Sequence, residues 1–197
     1  MKITILCICS SIMTGSVSAV HYEDDSRYFH RQRITEMLEM TELIFVKSRN
    51  FRSNSILLCH AFKKERQLRR DEYQYTMFLS PQPPQGQFVP LSTLFTTFAT
   101  PPHIQENAIS ILSEQLHGQP SLFKLMYINV QKTCFILVRQ RWRGGRECLL
   151  LQTIYSVQQL VPEDCQRIYL NQCPGQKYLI FRPECMTLLR RDRLFGS

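Results

Sequence analysis

The chain has 197 residues, of which 44% are hydrophobic and 20% charged, and its formal net charge is +8. This composition is typical of a globular protein with one apolar core, and it excludes a disordered or fibrous chain. The basic residues are dispersed in short groups along the sequence. They therefore indicate a solvated basic surface and not a nucleic-acid groove.

The first 19 residues have the pattern of a secretory signal peptide. Lys2 supplies a positive charge, residues 3–9 are mostly apolar, and small residues lead to Ala19. This order predicts cleavage after Ala19. The apolar run is much shorter than the roughly 20 residues of a membrane span. We therefore expect a signal peptide over residues 1–19, a single domain over residues 20–197, and secretion to the extracellular space without a membrane span.

Cysteine usage predicts a disulfide framework. Two of the eight cysteines lie in the predicted signal peptide, and the other six are Cys59, Cys134, Cys148, Cys165, Cys173 and Cys185. An even set in an oxidising compartment predicts three disulfides, but the spacing does not choose between the pairings. The six include no C-x-x-C pair, which argues against a metal site.

The predicted elements begin with a helix over residues 24–39, a polar segment with spaced apolar residues. Eight β-rich runs with turn signals between them then predict an antiparallel barrel or sandwich. We place these strands at residues 41–47, 55–62, 72–79, 87–98, 108–112, 121–129, 133–141 and 147–153.

Beyond the strands, residues 156–170 repeat apolar side chains at i, i+3 and i+4 spacing, which predicts a helix whose start Pro162 delays or kinks. A last strand is predicted at residues 177–181. Eight strands that close on themselves leave room for one small ligand. The expected fold class is all-β: an eight-stranded antiparallel lipocalin barrel with a short N-terminal helix and a C-terminal helix packed outside the barrel.

Three blocks of sequence resemble the tick salivary lipocalins, the histamine-binding-protein-like family. The first hairpin of that family is similar to MTELIFVKSRNFRSNSILLCHAFKKE. Its C-terminal half is similar to FKLMYINVQKTCFILVRQRWRGGRECLLLQ and to VPEDCQRIYLNQCPGQKYLIFRPEC, above all in cysteine order. The resemblance implies the disulfides Cys59–Cys185, Cys134–Cys165 and Cys148–Cys173, and a small ligand inside the barrel.

The implied disulfides also assign sides to the strands. If Cys134 and Cys148 point outward to hold a helix against the barrel, the residues next to them on the same strands point inward, because successive side chains on a strand alternate. Each inward side chain either contacts a ligand or fills a packed core. The predicted ligand-binding residues are Leu58, His60, Phe62, Tyr73, Tyr75, Phe88, Phe123, Leu125, Tyr127, Asn129, Phe135, Leu137, Arg139, Leu149 and Leu151.

The resemblance bears on the ligand as well. Amine binders of the family hold a cation with buried carboxylates, but here Asn129 and Phe135 stand where the resemblance leads us to expect acids. This argues against histamine or serotonin and favours a fatty acid, an eicosanoid or a sterol. Arg139 and Arg141 share the parity of Leu137 and are either carboxylate ligands at the barrel mouth or ordinary strand-end arginines.

Catalytic motifs are absent from the sequence: it has no G-x-S-x-G, H-E-x-x-H, P-loop or dinucleotide-binding pattern. We predict a monomer that is not an enzyme, uses no cofactor or metal and binds no nucleic acid. Two functions stay open. One is a carrier that sequesters a small hydrophobic host mediator. The other is an immunomodulator whose surface binds a host protein or immune cell, with residues 81–86, residues 141–146 and the basic tail as candidate contacts.

Overall fold

The structure is a computed structural model that describes residues 20–52, 58–81, 83, 86–112, 120–141 and 144–192. The predicted signal peptide, the hairpin tip at 142–143 and the end of the basic tail lie outside the described residues. The strands are β1 Ile44–Arg49, β2 Leu58–Arg69, β3 Glu72–Ser80, β4 Val89–Phe98, β5 Ala108–Leu112, β6 Ser121–Ile128, β7 Cys134–Gln140, β8 Arg146–Thr153 and β9 Tyr178–Leu179. The α-helices are α1 Ile34–Leu38, α2 Glu163–Gln172 and α3 Pro183–Arg191.

The first eight strands close into an antiparallel barrel. Neighbouring strands follow one another along the chain from β2 to β8, and β1 pairs with both β8 and β2. The closing contact between β1 and β2 pairs Ile44 with Phe62 and Phe45 with Ala61. Strand β9 pairs with the part of β1 that lies beyond its contact with β2, and there Ser48 faces Leu179. The predicted eight-stranded barrel is therefore confirmed, although β2 continues to Arg69, well past its predicted end.

The two ends of the barrel differ. Strands β1, β3, β5 and β7 end, and β2, β4, β6 and β8 begin, at the end that we call the mouth, because consecutive strands are antiparallel. Helix α1 covers the opposite end, where Ile34, Met37 and Leu38 are buried among interior side chains. The backbone N–H of Ile34 donates to the Glu106 carbonyl at 3.0 Å, which fixes the helix to the β4–β5 connection.

The N-terminal segment differs from the single helix predicted over residues 24–39. It forms two 3₁₀ helices, Tyr22–Asp24 and Ser26–Arg31, followed by α1. Contacts with the barrel wall outweigh helix propensity here. Gln32 Nε2 donates to the Met126 carbonyl at 3.2 Å, and Glu23 pairs with Arg146 at 2.6 Å. We call residues 20–33 the N-terminal strap, because they are attached to the outside of the barrel.

Two helices cover the outer wall. Helix α2 begins directly after Pro162, as the delayed start predicts, and buries Cys165, Ile168 and Tyr169. Helix α3 was not predicted, although Pro183 in its first turn and the spacing of Cys185, Leu188 and Leu189 are helix signals. None of the helices in the described ranges is long and apolar enough to cross a bilayer.

Three disulfides hold these helices in place, and they are the pairs that the family resemblance implies. Cys59–Cys185 joins β2 to α3, Cys134–Cys165 joins β7 to α2, and Cys148–Cys173 joins β8 to the end of α2. All six cysteines are fully buried. Each bridge therefore links the barrel wall to the outer layer, and no bridge crosses the interior.

The disulfides should differ in their contribution to stability. Cys59–Cys185 spans 126 residues and Cys148–Cys173 spans 25. In the chain-entropy account, loops of these lengths correspond to about 5 and about 3.5 kcal/mol respectively. We expect the double substitution Cys59→Ala with Cys185→Ala to lower the free energy of unfolding by roughly 1–1.5 kcal/mol more than Cys148→Ala with Cys173→Ala. Denaturant unfolding without reductant measures both, and equal losses would contradict the expectation.

Candidate ligand-binding site

The barrel interior is lined by apolar side chains, as predicted, and it is almost filled by them. The enclosed hollow has a volume of about 10 Å³. A volume of this size holds about one water molecule. The hollow is lined by Met37, Ile44, Phe62, Tyr75, Phe95, Ile111, Leu137, Leu149 and Leu151.

Most of the predicted ligand-binding residues do point into this interior. Paired strands carry them there in register: Phe135 faces Leu151 and Leu137 faces Leu149 across β7 and β8. Whether they contact a ligand stays a prediction. The predicted residues in the interior cluster are Phe62, Tyr73, Tyr75, Phe123, Leu125, Phe135, Leu137, Leu149 and Leu151.

Tyr127 and Asn129 do not face the interior, so their predicted orientation is wrong. A β-bulge between Leu125 and Tyr127 shifts the register of β6 against β7 and reverses the alternation. Tyr127 therefore packs on the outer wall, and its hydroxyl donates to Asp164 on α2 at 2.7 Å. Asn129 caps the β6–β7 turn, where its side-chain oxygen accepts from the backbone N–H of Cys134 at 2.9 Å.

The prediction that Leu58 and Phe88 line the interior is also wrong. Leu58 packs against the outer cluster that contains α3, because β2 carries a bulge between Leu58 and Ala61. Phe88 precedes β4 and lies in the same outer cluster, with its ring centroid 6.0 Å from that of Phe78. His60 lies half-buried at the bulge, with its Nε2 atom shielded from solvent.

Three aromatic rings fill the centre of the barrel. The rings of Tyr75 and Phe95 stack with centroids 4.3 Å apart, and Phe62 meets Phe95 edge-on at 5.7 Å. The Tyr75 hydroxyl donates to the Leu38 carbonyl at 3.1 Å, so it ties the interior to α1. Burial raises the pKa of Tyr75 well above its ordinary value. This ring therefore stays neutral and acts as apolar packing with one satisfied hydroxyl.

Charged residues appear in the interior at the mouth. Glu147 has the strand parity of Leu149 and Leu151, and its side chain is only 4% exposed. Both Nε and Nη2 of Arg139 lie 2.6 Å from Glu147 Oε2, and Arg141 Nε lies 2.5 Å from Glu147 Oε1. Arg139 also lies over the Phe123 ring, with the guanidinium carbon 5.1 Å from the centroid. One buried carboxylate therefore holds two arginines in place.

A third arginine joins this group. The guanidinium carbons of Arg49 and Arg139 lie 5.4 and 5.5 Å from the centroid of the same ring, that of Phe51. Arg49 Nε is buried and has no hydrogen-bond partner among the described residues. Burial lowers the pKa of Arg49, and the charge of Glu147 partly opposes that effect. We call Arg49, Phe51, Phe123, Arg139 and Glu147 the mouth cluster.

Sequence reasoning missed three members of the mouth cluster, Glu147, Phe51 and Arg49. The parity of Glu147 with Leu149 and Leu151 was a usable signal, since all three lie on one strand. Arg49 had no such signal. A register shift between Val46 and Ser48 moves Arg49 to the side of Val46, and strict alternation would have placed it with the outward Lys47.

Comparison with known proteins settles the family. The family model for tick histamine binding protein matches residues 22–187. This chain belongs to the tick histamine-binding protein family. It is therefore a tick salivary lipocalin, and the predicted resemblance is confirmed. Among curated proteins, no sequence matches the chain.

A solved lipocalin shares the fold of this family member. Japanin from Rhipicephalus appendiculatus, in a crystal structure bound to cholesterol, superposes with a TM-score of 0.53. The two chains are 14% identical, and the alignment covers 73% of this chain and 95% of Japanin. At this identity the likeness shows the lipocalin fold alone.

Among the described residues, no group of three His, Cys, Asp or Glu side chains is placed to hold a metal ion.

The burial of the Arg49 guanidinium leads to a prediction about the stability of the fold. Arg49→Met removes a partly desolvated charge and its repulsion with Arg139, and it keeps the apolar contact with Phe51. We expect the free energy of unfolding to rise by about 0.5–1 kcal/mol, because a buried cation without a full set of partners is destabilising. Arg66→Met, at an exposed position on β2, is the matched control and should change stability by less than about 0.5 kcal/mol. A loss of stability in Arg49→Met would show that Arg49 is fully compensated.

Proposed function

We propose that this protein is a secreted salivary carrier that binds a small hydrophobic ligand with an acidic head group, such as a fatty acid or an eicosanoid. By removing that ligand it would modulate host immune and inflammatory responses. The three buried disulfides support an extracellular location, since such bridges persist in oxidising compartments. The cholesterol bound to Japanin supports a hydrophobic ligand in general.

The observation that carries the proposal is the mouth cluster. In this cluster Arg139 pairs with the buried carboxylate of Glu147, which also pairs with the neighbouring Arg141. Arg49 lies over the same Phe51 ring as Arg139. The local charge is therefore positive by two. Arginine binds carboxylates well through its planar array of donors, and the buried Nε of Arg49 is a donor that has no partner in the described part of the chain. A ligand carboxylate at this position would satisfy it while an apolar tail enters the barrel.

The packed interior sets a condition on binding. A hollow of about 10 Å³ cannot take a lipid tail unless lining side chains move. Met37 is unbranched and flexible, and Ile111 is half-buried on a short strand, so these two are suited to move. Only molecules in the open state could bind the tail, so the apparent affinity would equal the intrinsic affinity multiplied by the fraction of open molecules.

Amine sequestration is the less favoured function for this member of the family. A protonated amine inside the barrel needs a carboxylate that is free to pair with it. Within the described interior, the acid at the mouth is Glu147, and two arginines already engage it. An amine would have to displace a bound guanidinium and would then remain close to two further cations.

Direct action on a host protein or immune cell is a second candidate function. The nearly filled interior favours it, because a barrel that holds no ligand would act through its surface. The candidate contacts named from the sequence, the loop at 81–86, the hairpin at 141–146 and the basic tail, are described only in part. This function predicts that lipid-free protein keeps its full effect on immune cells.

A ligand comparison tests the carrier proposal. Delipidated protein is titrated with palmitic acid, with its methyl ester and with cholesterol, and binding is followed by native mass spectrometry and calorimetry. We expect the acid to bind at least tenfold more tightly than the ester, because the ester lacks the charge that Arg49 and Arg139 would meet. Arg49→Met should reduce that preference about tenfold, and Arg66→Met should leave it unchanged.

The other outcomes separate the alternatives. Equal affinity for acid, ester and cholesterol would reject the acidic head group and leave a carrier of neutral lipids. No binding of any of the three, together with an undiminished effect of lipid-free protein on leukocytes, would reject the carrier in favour of surface action.

A further inference from the structure

A groove on the outside of the barrel is larger than the hollow within it. It lies between the N-terminal strap and the outer faces of β4 to β7, and its volume is about 210 Å³. The interior hollow measures about 10 Å³. We call it the wall groove. Its walls include Phe98, Leu122 and Val138, with Glu23, Lys124 and Gln140 as polar neighbours.

The apolar part of the wall groove is open to solvent. Leu122 is 56% exposed on β6, although it lies on a folded strand between well-paired neighbours. Phe98 is half-buried beside it at the end of β4. An exposed leucine on a concave apolar surface is a usual feature of a ligand contact.

The polar side of the groove has one unsatisfied acceptor. Glu23 is completely buried, and its Oε2 lies 2.6 Å from Arg146 Nη2. Its other oxygen, Oε1, has no hydrogen-bond partner among the described residues. A buried carboxylate oxygen without a donor is costly, and an ionised carboxylate can only accept. A ligand head that donates a hydrogen bond would supply what Oε1 lacks, provided that the N-terminal strap moves enough to admit it, because Oε1 is shielded from solvent.

The cations near the groove are already paired. Lys124 Nζ lies 2.7 Å from Asp24 Oδ1, and Arg139 lies 2.6 Å from Glu147. Among the described residues that line the groove, a negatively charged ligand would therefore find no cation that lacks an acidic partner, and it would meet Glu23 instead.

We propose that the wall groove is a second binding site, for a small amphiphile with a compact apolar body and a head that donates a hydrogen bond to Glu23. Its volume suits a single ring with a short linker more than a drug-sized or lipid-sized molecule. The apolar body lies on Leu122, Phe98 and Val138. The groove borders the mouth cluster, since Phe123 and Arg139 also line it, but the apolar body and Glu23 lie on the outer face of the wall. The proposal does not depend on the ligand proposed for the interior.

Three ligands with the same ring test the proposal. Isotope-labelled protein at pH 7.4 is titrated with 2-phenylethanol, 2-phenylethylamine and phenylacetate, and amide chemical shifts are recorded. The alcohol and the amine donate hydrogen bonds, and phenylacetate at this pH only accepts. We expect the two donors to shift the resonances of Leu122, Lys124 and Val138, and to bind about tenfold more tightly than phenylacetate.

Two variants and a control complete the test. Leu122→Asp puts a charge on the apolar wall at an exposed position and should abolish binding of both donors. Leu170→Asp, at a similarly exposed leucine on α2, should leave binding unchanged. Glu23→Gln places a donor in the groove, so it should reverse the preference towards phenylacetate. If Glu23→Gln fails to fold, Leu122→Asp still decides the result.

The following results would overturn the proposal. Phenylacetate could bind as well as the alcohol, which would remove the role of Glu23. The donors could bind Leu122→Asp as well as the parent protein, or shift only interior residues such as Leu137 and Leu149. Absence of binding by either donor at millimolar concentration would also reject the site.

Discussion

Covalent attachment of the outer helices to the barrel wall is the constraint on which the rest of the structure depends. Cys134 and Cys148 are held outward against α2, and Cys59 is held outward against α3. Because side chains alternate along a strand, the outward cysteines fix Phe135 and Leu149 as interior residues. The apolar interior is thus a consequence of links that lie entirely outside it.

Alternation also decides how much of the site could be predicted from the sequence. On β7 and β8 the ladder is regular from Cys134 to Gln140, and every predicted side-chain direction there is found. On β6 the bulge after Leu125 turns Tyr127 outward, and on β1 a similar shift turns Arg49 inward. A bulge adds one residue to one strand, and the local sequence carries no reliable sign of it. The inward residues of the regular strands could therefore be predicted from the sequence, but the residues that meet at the mouth could not.

The fold was predictable where the pattern is local. Turn residues separated the strands, and a helix was expected over residues 156–170, but it begins only after Pro162, the residue expected to delay or kink its start. The N-terminal strap was not predictable in this way, because a buried ion pair between Glu23 and Arg146, far apart in sequence, draws the segment onto the wall. Helix α3 carried local signals in Pro183 and the spacing of its apolar residues, and it follows directly after the short strand β9.

The mouth cluster is an unfavourable arrangement for stability alone. Arg139 and the neighbouring Arg141 share one buried carboxylate, and Arg49 beside them keeps a buried donor without a partner among the described residues. Proteins retain such arrangements at binding sites more often than elsewhere. The interior behind the cluster is packed, so an entering tail must displace side chains and gains little selectivity from uniform apolar contacts. Selection among hydrophobic ligands must then come from the head group at the mouth, where a ligand without an acceptor would leave the buried Nε of Arg49 without a partner among the described residues.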